Sequence, residues 1–382
     1  MLELQTYFTA PADDLTIVDG TLGQFIFQGW HKKQSDADIR IALFSVADYR
    51  NNPHISEKSS SSAFHVREQL YGLTKGQISR KIIDLGELKI GKTRRDTYFA
   101  LAFIFCELHK KKIVPIFFGS DDSMIYSIYQ YFTQIGDPLN HLHIDYMFDN
   151  QHEELNIVNQ DCYFHKIQTD FKQNVQELTI LGTQSYYCDL EPFFSETNSL
   201  IINHRLGLLR AELFESEAFF RNSDSVSFDL NAIRMSDNPA NYLGMPNGLY
   251  AEEACQLAWY AGYSERVSLF GLFNYFSEYD NRKAGAKLVA QIIWHFFDGC
   301  SKRLGEDPHF SIDQFLQLHV NVESIRQELV FCKSILSNRY WLKLPTINEG
   351  KGDKFLAVSK PEYLNAVNNL ISDRIYFYLT QQ

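Results

Sequence analysis

The stretch HLHIDYMFDN, residues 141–150, carries four notable side chains at alternate positions: His143, Asp145, Met147 and Asp149. Side chains two residues apart in a β-strand point to the same face, so a strand here would align all four. Such a row of carboxylates could bind a cation, but a methionine thioether suits soft Cu(I) and not the hard ions that carboxylates select. The stretch therefore predicts a strand that ends at a carboxylate site with one unsuitable ligand.

The composition indicates a globular protein and argues against several classes of partner. The chain has 382 residues, is 45% hydrophobic and contains 30 Phe and 21 Tyr, which is enough for a large core. Its net charge of −11, with no long Lys/Arg run, argues against binding to nucleic-acid phosphates. No apolar run approaches the ~20 residues of a membrane span. We expect neither nucleic acid nor membrane as a partner.

The cysteines are scattered and show neither CxxC nor CxxH spacing, so they predict neither a zinc knuckle nor a redox pair. They are Cys106, Cys162, Cys188, Cys255, Cys300 and Cys332. The N-terminal residues lack the basic start and apolar core of a signal peptide. We therefore expect reduced thiols and a cytoplasmic protein.

Short apolar runs alternate with segments of helical spacing along most of the chain. Residues 41–46 (IALFSV) and 113–118 (IVPIFF) are typical of buried strands, whereas residues 97–109 (TYFALAFIFCELH) have helical spacing. This alternation predicts an α/β fold around one mainly parallel sheet. Because no repeat and no Pro/Gly linker divides the chain, we predict a single domain over residues 1–382. Residues from about 303 to 382 are expected to form an appendage of strands and loops.

Three of the predicted strands end in acidic residues. The acids are Asp121 and Asp122, Asp145 and Asp149, and Asp229. In a parallel α/β sheet, ligands bind beyond the carboxyl ends of the strands, so these ends predict one shared pocket. Asp121 and Asp122 have an alternative role, because acids after a glycine also cap helix N-termini.

Other residues of the opening stretch have both a structural and a functional interpretation. His141 and His143 could replace missing metal ligands, but a histidine on an apolar strand is more often a hydrogen-bonded core residue. We favour the core interpretation for both. Phe148 is predicted to pack in the core.

Four segments, in this order, resemble the motif blocks of the ureohydrolases, the family of arginase, agmatinase and formimidoylglutamase. They are GSDDS (119–123), DYMFD (145–149), SFDLN (227–231) and MPNGLYAEEA (245–254). The corresponding family blocks are GG-x-H-S, D-A-H-x-D, S-x-D-x-D and P-x-G-G-L…E. The resemblance covers about residues 38–300 and is to a divergent, formimidoylglutamase-like member. It implies an arginase-type three-layer α/β/α fold with a mainly parallel sheet.

The resemblance also implies a metal site that has changed. Family enzymes hold two Mn²⁺ ions with two His and four Asp, and a metal-bridging hydroxide attacks the amidine or guanidine carbon. At the matching positions, the first histidine is Asp122, the second is Met147 and the last aspartate is Asn231. The family aspartates that remain are Asp145, Asp149 and Asp229.

By this resemblance, one ion position keeps an all-carboxylate set, whereas the other loses a histidine and a charge. The retained set is Asp122, Asp145, Asp149 and Asp229. We predict at most one divalent cation (Mn²⁺, Mg²⁺ or Ca²⁺), or none, and reduced or lost ureohydrolase activity. Asn274 falls where the family has a glutamate near the guanidinium, so recognition of a small-molecule substrate would also change. Family members are commonly trimers or hexamers, which makes a homo-oligomer an expectation.

Three functions remain open from the sequence. The first is hydrolysis of linear C–N bonds with an altered or single metal, and the second is a non-catalytic role in ligand sensing or assembly. The third is a metal-free hydrolase that uses the carboxylates as acid and base. Converging carboxylates repel one another, so without a cation some must be protonated with raised pKa values. The sequence assigns no catalytic residue.

Overall fold

The structure is a computed structural model that describes residues 2–11, 15–30, 38–50, 61–148, 163–187, 199–309, 312–345 and 353–380. Its main feature is a sheet whose strands are β1 (Phe8–Thr9), β2 (Ile26–Gln28), β3 (Ile39–Val46), β4 (Lys81–Leu88), β5 (Val114–Phe118), β6 (Leu139–Ile144), β7 (Val175–Thr183), β8 (Leu200–Arg205), β9 (Ser225–Asp229) and β10 (Leu269–Phe273).

The strand order in this sheet is β1-β4-β3-β5-β10-β9-β6-β7-β8, and β2 pairs with β4. Strand β1 is antiparallel to β4, whereas the other pairs are parallel. From β5 the chain passes over two strand positions to β6 and continues to β7 and β8. It then turns back and fills the two positions between β5 and β6 with β9 and β10. A mainly parallel sheet confirms the predicted α/β class.

Helices cover both faces of the sheet. They are α1 (Leu2–Gln5), α2 (Ser61–Tyr71), α3 (Arg94–His109), α4 (Ile125–Ile135), α5 (Tyr163–Phe171), α6 (Leu206–Ala211), α7 (Glu217–Asn222), α8 (Ala251–Tyr263) and α9 (Ala284–Ser301). One apolar core joins the sheet to α2, α8 and α9, and a second joins it to α3, α4 and α5. Two cores on opposite faces make the predicted three-layer α/β/α architecture.

The C-terminal part is a second, antiparallel sheet followed by two short helices. Its elements are β11 (Phe315–Val322), β12 (Gln327–Ser334), β13 (Tyr340–Leu344), β14 (Lys354–Val358), α10 (Lys360–Val367) and α11 (Asp373–Thr380). The prediction of a C-terminal appendage of strands and loops was thus incomplete, because it did not include the two helices. Helix α10 begins with a capping box between Ser359 and Glu362, a pattern that is visible in the sequence.

Buried polar contacts attach this second sheet to the first. The guanidinium of Arg221 in α7 donates to the carbonyl oxygens of Tyr340 (2.8 Å) and Val358 (3.0 Å). The hydroxyl of Tyr378 in α11 donates to the carboxylate of Glu177 in β7 at 2.7 Å. Because all these groups are largely buried, loss of one partner would leave the other without its hydrogen bond.

No helix in the described ranges is both long enough and apolar enough to cross a membrane. The cysteines at 106, 255, 300 and 332 are free thiols, as predicted. Cys162 and Cys188 lie outside the described residues.

Candidate metal site

Four neighbouring strands, β5, β10, β9 and β6, bring their carboxyl ends to one edge of the main sheet. Asp145 directly follows β6, Asp229 is the last residue of β9, and Asp122 follows β5 after a short turn. Ligand oxygens of these three carboxylates all lie within 4.8 Å of one another, and all three side chains are buried. We call Asp122, Asp145 and Asp229 the carboxylate cluster. Asp149, the fourth predicted ligand, lies outside the described residues.

The turn after β5 determines where Asp122 lies. Gly119 has a φ of 98°, and a Cβ atom on it would lie 2.5 Å from the carbonyl oxygen of Val46. Ser120 follows with a φ of 58°, also in the left-handed region. Only glycine fits the first position, because the backbone of β3 approaches it too closely for a side chain.

Asp121 and Asp122 are adjacent but have different surroundings. Asp121 accepts a hydrogen bond from the backbone N–H of Ser123 and pairs with Arg94 at 2.7 Å. This confirms the capping interpretation for Asp121. Asp122, in contrast, belongs to the carboxylate cluster.

The cluster carries more negative charge than its surroundings can stabilise. Burial raises the pKa of Asp145 well above its usual value, although the backbone N–H groups of Tyr146 and Met147 oppose this. Burial, and next the charge of Asp145, raise the pKa of Asp229 to about 8. Within the described part of the chain, no lysine or arginine pairs with either carboxylate. The cluster therefore requires protons or a cation.

Two asparagine amides contact Asp229. The Nδ2 of Asn274 donates to Oδ2 of Asp229 at 2.9 Å, and the backbone N–H of Asn231 donates to Oδ1 at 2.7 Å. The Nδ2 of Asn231 is 3.4 Å from Oδ2. The Oδ1 atoms of both amides are buried and have no hydrogen-bond partner. Asn274 thus lies at the cluster, and its role toward a substrate stays a prediction.

Met147 and Phe148 follow Asp145 and differ in their packing. Phe148 is buried and stacks on Phe164 with ring centroids 4.2 Å apart, which confirms its core role. Met147 is only half-buried. A methionine thioether is a soft ligand and does not suit the hard ions that carboxylates select.

These residues fit a hard divalent cation. The three carboxylates form an oxygen-only set of the kind that Ca²⁺, Mg²⁺ or Mn²⁺ binds. A second ion would depend on Met147 and Asn231. The amide of Asn231 turns its NH₂ group toward Asp229, and an NH₂ group cannot bind a cation.

Two buried histidines form a hydrogen-bonded row that leads to the cluster. Nδ1 of His141 lies 2.7 Å from the hydroxyl of Ser225, and its Nε2 lies 2.8 Å from the hydroxyl of Ser227. Nδ1 of His143 lies 2.7 Å from the same Ser227 hydroxyl, and its Nε2 lies 3.4 Å from Oδ2 of Asp145. The predicted role as hydrogen-bonded core histidines is confirmed.

The two serines of this row were not predicted from the sequence, although a pattern was present. Serines 225 and 227 alternate toward Asp229 as the two histidines alternate toward Asp145. The sheet pairs His141 with Ser225 and His143 with Ser227. Aligning the two segments on Asp145 and Asp229 would have predicted that each histidine lies opposite a serine.

The comparisons with known proteins find similarity in structure only. No protein-family model matches the sequence, and no curated protein matches it. Formimidoylglutamase from Bacillus subtilis superposes with a TM-score of 0.65 and 17% identity, covering 79% of this chain and 99% of that one. Formiminoglutamase from Trypanosoma cruzi, in a structure with Mn²⁺, gives a TM-score of 0.62 and 16% identity, covering 71% and 97%.

An agmatine ureohydrolase from Thermoplasma volcanium is similar over 79% of this chain and 97% of its own, with a TM-score of 0.54 and 15% identity. The chain therefore has the arginase-type fold, as its resemblance to the ureohydrolases predicted. At these identities the comparison establishes the fold, whereas function depends on the residues at the site.

Proposed function

We propose that this chain is a divergent, formimidoylglutamase-like member of the ureohydrolase family that binds one hard divalent cation. Asp122, Asp145 and Asp229 would hold it, with Asp149 as a fourth candidate ligand. The cation would be Mn²⁺, Mg²⁺ or Ca²⁺. Hydrolysis of linear C–N bonds by the two-metal route would be strongly reduced or lost.

The observation that carries this proposal is the buried carboxylate cluster, with ligand oxygens within 4.8 Å and no lysine or arginine paired with Asp145 or Asp229 among the described residues. Burial raises the pKa values of both groups, and the charge of Asp145 further raises that of Asp229; a divalent cation would oppose both effects by stabilising the ionised carboxylates. The fold supports the proposal, because its similar structures include an enzyme with Mn²⁺.

The chemistry available at the site follows from these residues. A bound divalent cation supplies a Lewis acid and lowers the pKa of bound water, whereas aligned attack between two metals needs the second ion. The carboxylates bind and largely neutralise the cation, which weakens its polarising effect. Asn274 presents an uncharged amide at the cluster, so it cannot form an ion pair with a guanidinium substrate.

A second candidate is a non-catalytic protein that uses this fold for ligand sensing or assembly. The family resemblance favours it, because it places Met147 and Asn231 at ligand positions and Asn274 where a glutamate is expected. A small molecule would be the substrate of the hydrolase or the ligand of a sensor, and the family resemblance makes a homo-oligomer part of the proposal. Free thiols at the described cysteines support a cytoplasmic location.

An activity assay with defined metals separates the two candidates. The protein is loaded with Mn²⁺, Mg²⁺ or Ca²⁺ and tested on formimidoylglutamate, agmatine and arginine. We expect kcat below the ~1 s⁻¹ that marks the slow end of ordinary enzymes. Slow turnover that disappears in Asp145→Asn but persists in Asp313→Asn, an exposed control, supports the hydrolase. No turnover with a bound cation supports the second candidate, and ordinary turnover contradicts the proposed loss of activity.

A further inference from the structure

A cavity of about 480 Å³ lies where the C-terminal helices meet the main sheet, and no residue of the carboxylate cluster lines it. Its described walls come from β8, from residues within 209–219 and from residues within 359–374. The volume is within the range of roughly 300–1,000 Å³ that is usual for small-molecule sites. We call this space the interface cavity.

Arg374 of α11 lines the interface cavity and lacks the hydrogen bonds that a buried guanidinium needs. Its side chain is 5% exposed, and none of its three nitrogens has a hydrogen-bond partner among the described residues. Carboxylate oxygens of Glu362 and Glu177 approach the guanidinium to 3.7 and 3.8 Å, which is beyond hydrogen-bond distance. A buried charge without hydrogen bonds is costly, so this guanidinium requires an acceptor that the described chain does not supply.

The guanidinium of Arg374 lies at the wall of the interface cavity. Its central carbon is 5.1 Å from the ring centroid of Phe219, and its Nη1 is the atom that approaches Glu362. Both Phe219 and Glu362 line the cavity. An acceptor that enters between these two side chains would give the guanidinium its missing hydrogen bonds.

The interface cavity also carries an excess of negative charge. Its described lining contains one guanidinium and four carboxylates, those of Glu212, Glu215, Glu362 and Asp373. Burial raises the pKa of Glu215, and the charges of Glu212 and Glu362 raise it further, although a hydrogen bond from Ser359 opposes them. A positively charged group in the cavity would relieve the repulsion among these carboxylates.

Together, these features disfavour a ligand with a single charge. A simple anion would bind the guanidinium of Arg374 but would be repelled by the surrounding carboxylates. A simple cation would be attracted by the carboxylates but would leave the guanidinium without an acceptor. A small molecule that carries one group of each sign meets both requirements.

We propose that the interface cavity binds a small zwitterion of the aliphatic α-amino acid class. The ligand carboxylate would accept hydrogen bonds from Arg374, because arginine pairs with carboxylates through two parallel N–H···O bonds. The ligand ammonium group would lie beside Glu212 and Glu215. Apolar residues that also line the cavity would accommodate the aliphatic side chain; they include Leu200, Ile202 and Leu209. This site shares no residue with the proposed cation site.

Matched ligands test the two charges without any change to the protein. The wild type is titrated by calorimetry, in chelator, with L-leucine, with 4-methylpentanoate, which lacks the ammonium group, and with L-leucine methyl ester, which lacks the carboxylate. We expect L-leucine to bind and each analogue to bind about 10-fold or more weakly. Equal binding of either analogue would contradict a zwitterion site. No binding of L-leucine at millimolar concentration would contradict the site altogether.

Substitutions at the two charged ends locate the ligand. Arg374→Met and Glu215→Gln should each raise the Kd for L-leucine about 10-fold or more, because each removes one charged partner. Arg95→Met and Glu323→Gln change exposed residues outside the cavity and should keep the wild-type Kd. An unchanged Kd in either Arg374→Met or Glu215→Gln would overturn the proposal.

Glu212→Gln provides a second variant if Arg374→Met does not fold, since Glu212 is exposed and its substitution costs little stability. It should also weaken the binding of L-leucine, and an unchanged Kd would contradict the proposed place of the ammonium group. Asp145→Asn should bind L-leucine as the wild type does, whereas loss of binding would place the ligand at the carboxylate cluster instead. A wild type that binds L-leucine but no divalent cation supports the interface site and contradicts the proposed function.

Discussion

Two groups of buried carboxylates in this protein are stabilised in different ways. In the arginine-paired group, Asp84 contacts Arg67 at 2.7 Å and Asp121 contacts Arg94 at 2.7 Å, and all four side chains are at most 7% exposed. In the carboxylate cluster, three aspartates converge instead on one another. The two groups meet in the sequence, because Asp121 of the arginine-paired group is adjacent to Asp122 of the carboxylate cluster.

The difference shows that the chain supplies a counterion for some of its buried carboxylates and not for others. A buried charge is tolerated when it is paired and hydrogen-bonded, and the arginine-paired group meets that condition within the chain itself. Burial raises the pKa values of Asp145 and Asp229, and no lysine or arginine in the described part of the chain pairs with them. Under the proposed function, a divalent cation from solution takes that place.

The largest effect should come from breaking a pair in the arginine-paired group. Arg67→Met would leave Asp84 buried without its counterion and should lower the free energy of unfolding by about 3–5 kcal/mol. Urea denaturation measures this. Arg95→Met, at an exposed arginine of α3, is the control and should cost less than about 1 kcal/mol. Equal losses of unfolding free energy in the two variants would show that the buried pair with Asp84 contributes no more than an exposed arginine does.

A somewhat smaller effect is expected from cation binding. At a concentration 100 times its Kd, the cation should stabilise the wild type by about 2.7 kcal/mol. Asp145→Asn should abolish this gain because it removes a central ligand, and thermal unfolding with and without Mg²⁺, Ca²⁺ or Mn²⁺ measures it. Asp313→Asn carries the same charge change on an exposed residue and should keep the gain. If the cation stabilised Asp145→Asn as much as the wild type, it would bind at another site.

The pH dependence of the cation-free protein should be smaller still. The pKa of Asp229 is about 8 in the folded state, against about 3.9 when unfolded, so the folded state binds more protons between these values. Stability should therefore fall as pH rises from about 4 to 8, by at least about 1 kcal/mol. Urea denaturation at several pH values in chelator measures this slope, and saturating cation should remove it. Unchanged stability across this range in chelator would contradict the pKa shift.

The smallest change in stability, but an informative change in composition, is expected from restoring ligands. Met147→His with Asn231→Asp, and with Asp122→His if needed, should raise the Mn²⁺ content toward two ions per chain. These changes return the imidazole and carboxylate that a second ion needs. Metal analysis after dialysis measures the ratio, with Met147→Leu as the control. A ratio that stays unchanged would show that other features of the site exclude the second ion.

The sequence predicted the α/β class and the arginase-type fold because both depend on periodicity and on ordered motifs. Apolar runs such as residues 113–118 indicate buried parallel strands whatever their neighbours are. The acids at three strand ends predicted a shared site, and the structure brings Asp122, Asp145 and Asp229 together. The local residue pattern and the order of the motifs were therefore sufficient to predict the fold and the carboxylate cluster.

Other features depend on which strands lie side by side, and sequence reasoning did not find them. The arginine partner of Asp121 comes from α3, 27 residues earlier, and no spacing rule indicates that pair. Ser227 meets His143 only because β9 lies beside β6 in the sheet. The short C-terminal helices were missed because eight residues give little periodicity.

The most direct test of the account is the number of divalent cations that each wild-type chain binds. The protein is purified without chelator, equilibrated with Mn²⁺, and analysed by mass spectrometry for metals and by titration calorimetry. We predict one cation per chain, with Asp145→Asn binding none. Two Mn²⁺ ions per chain would contradict the single-ion site, and no binding even at millimolar metal would contradict the cation site altogether.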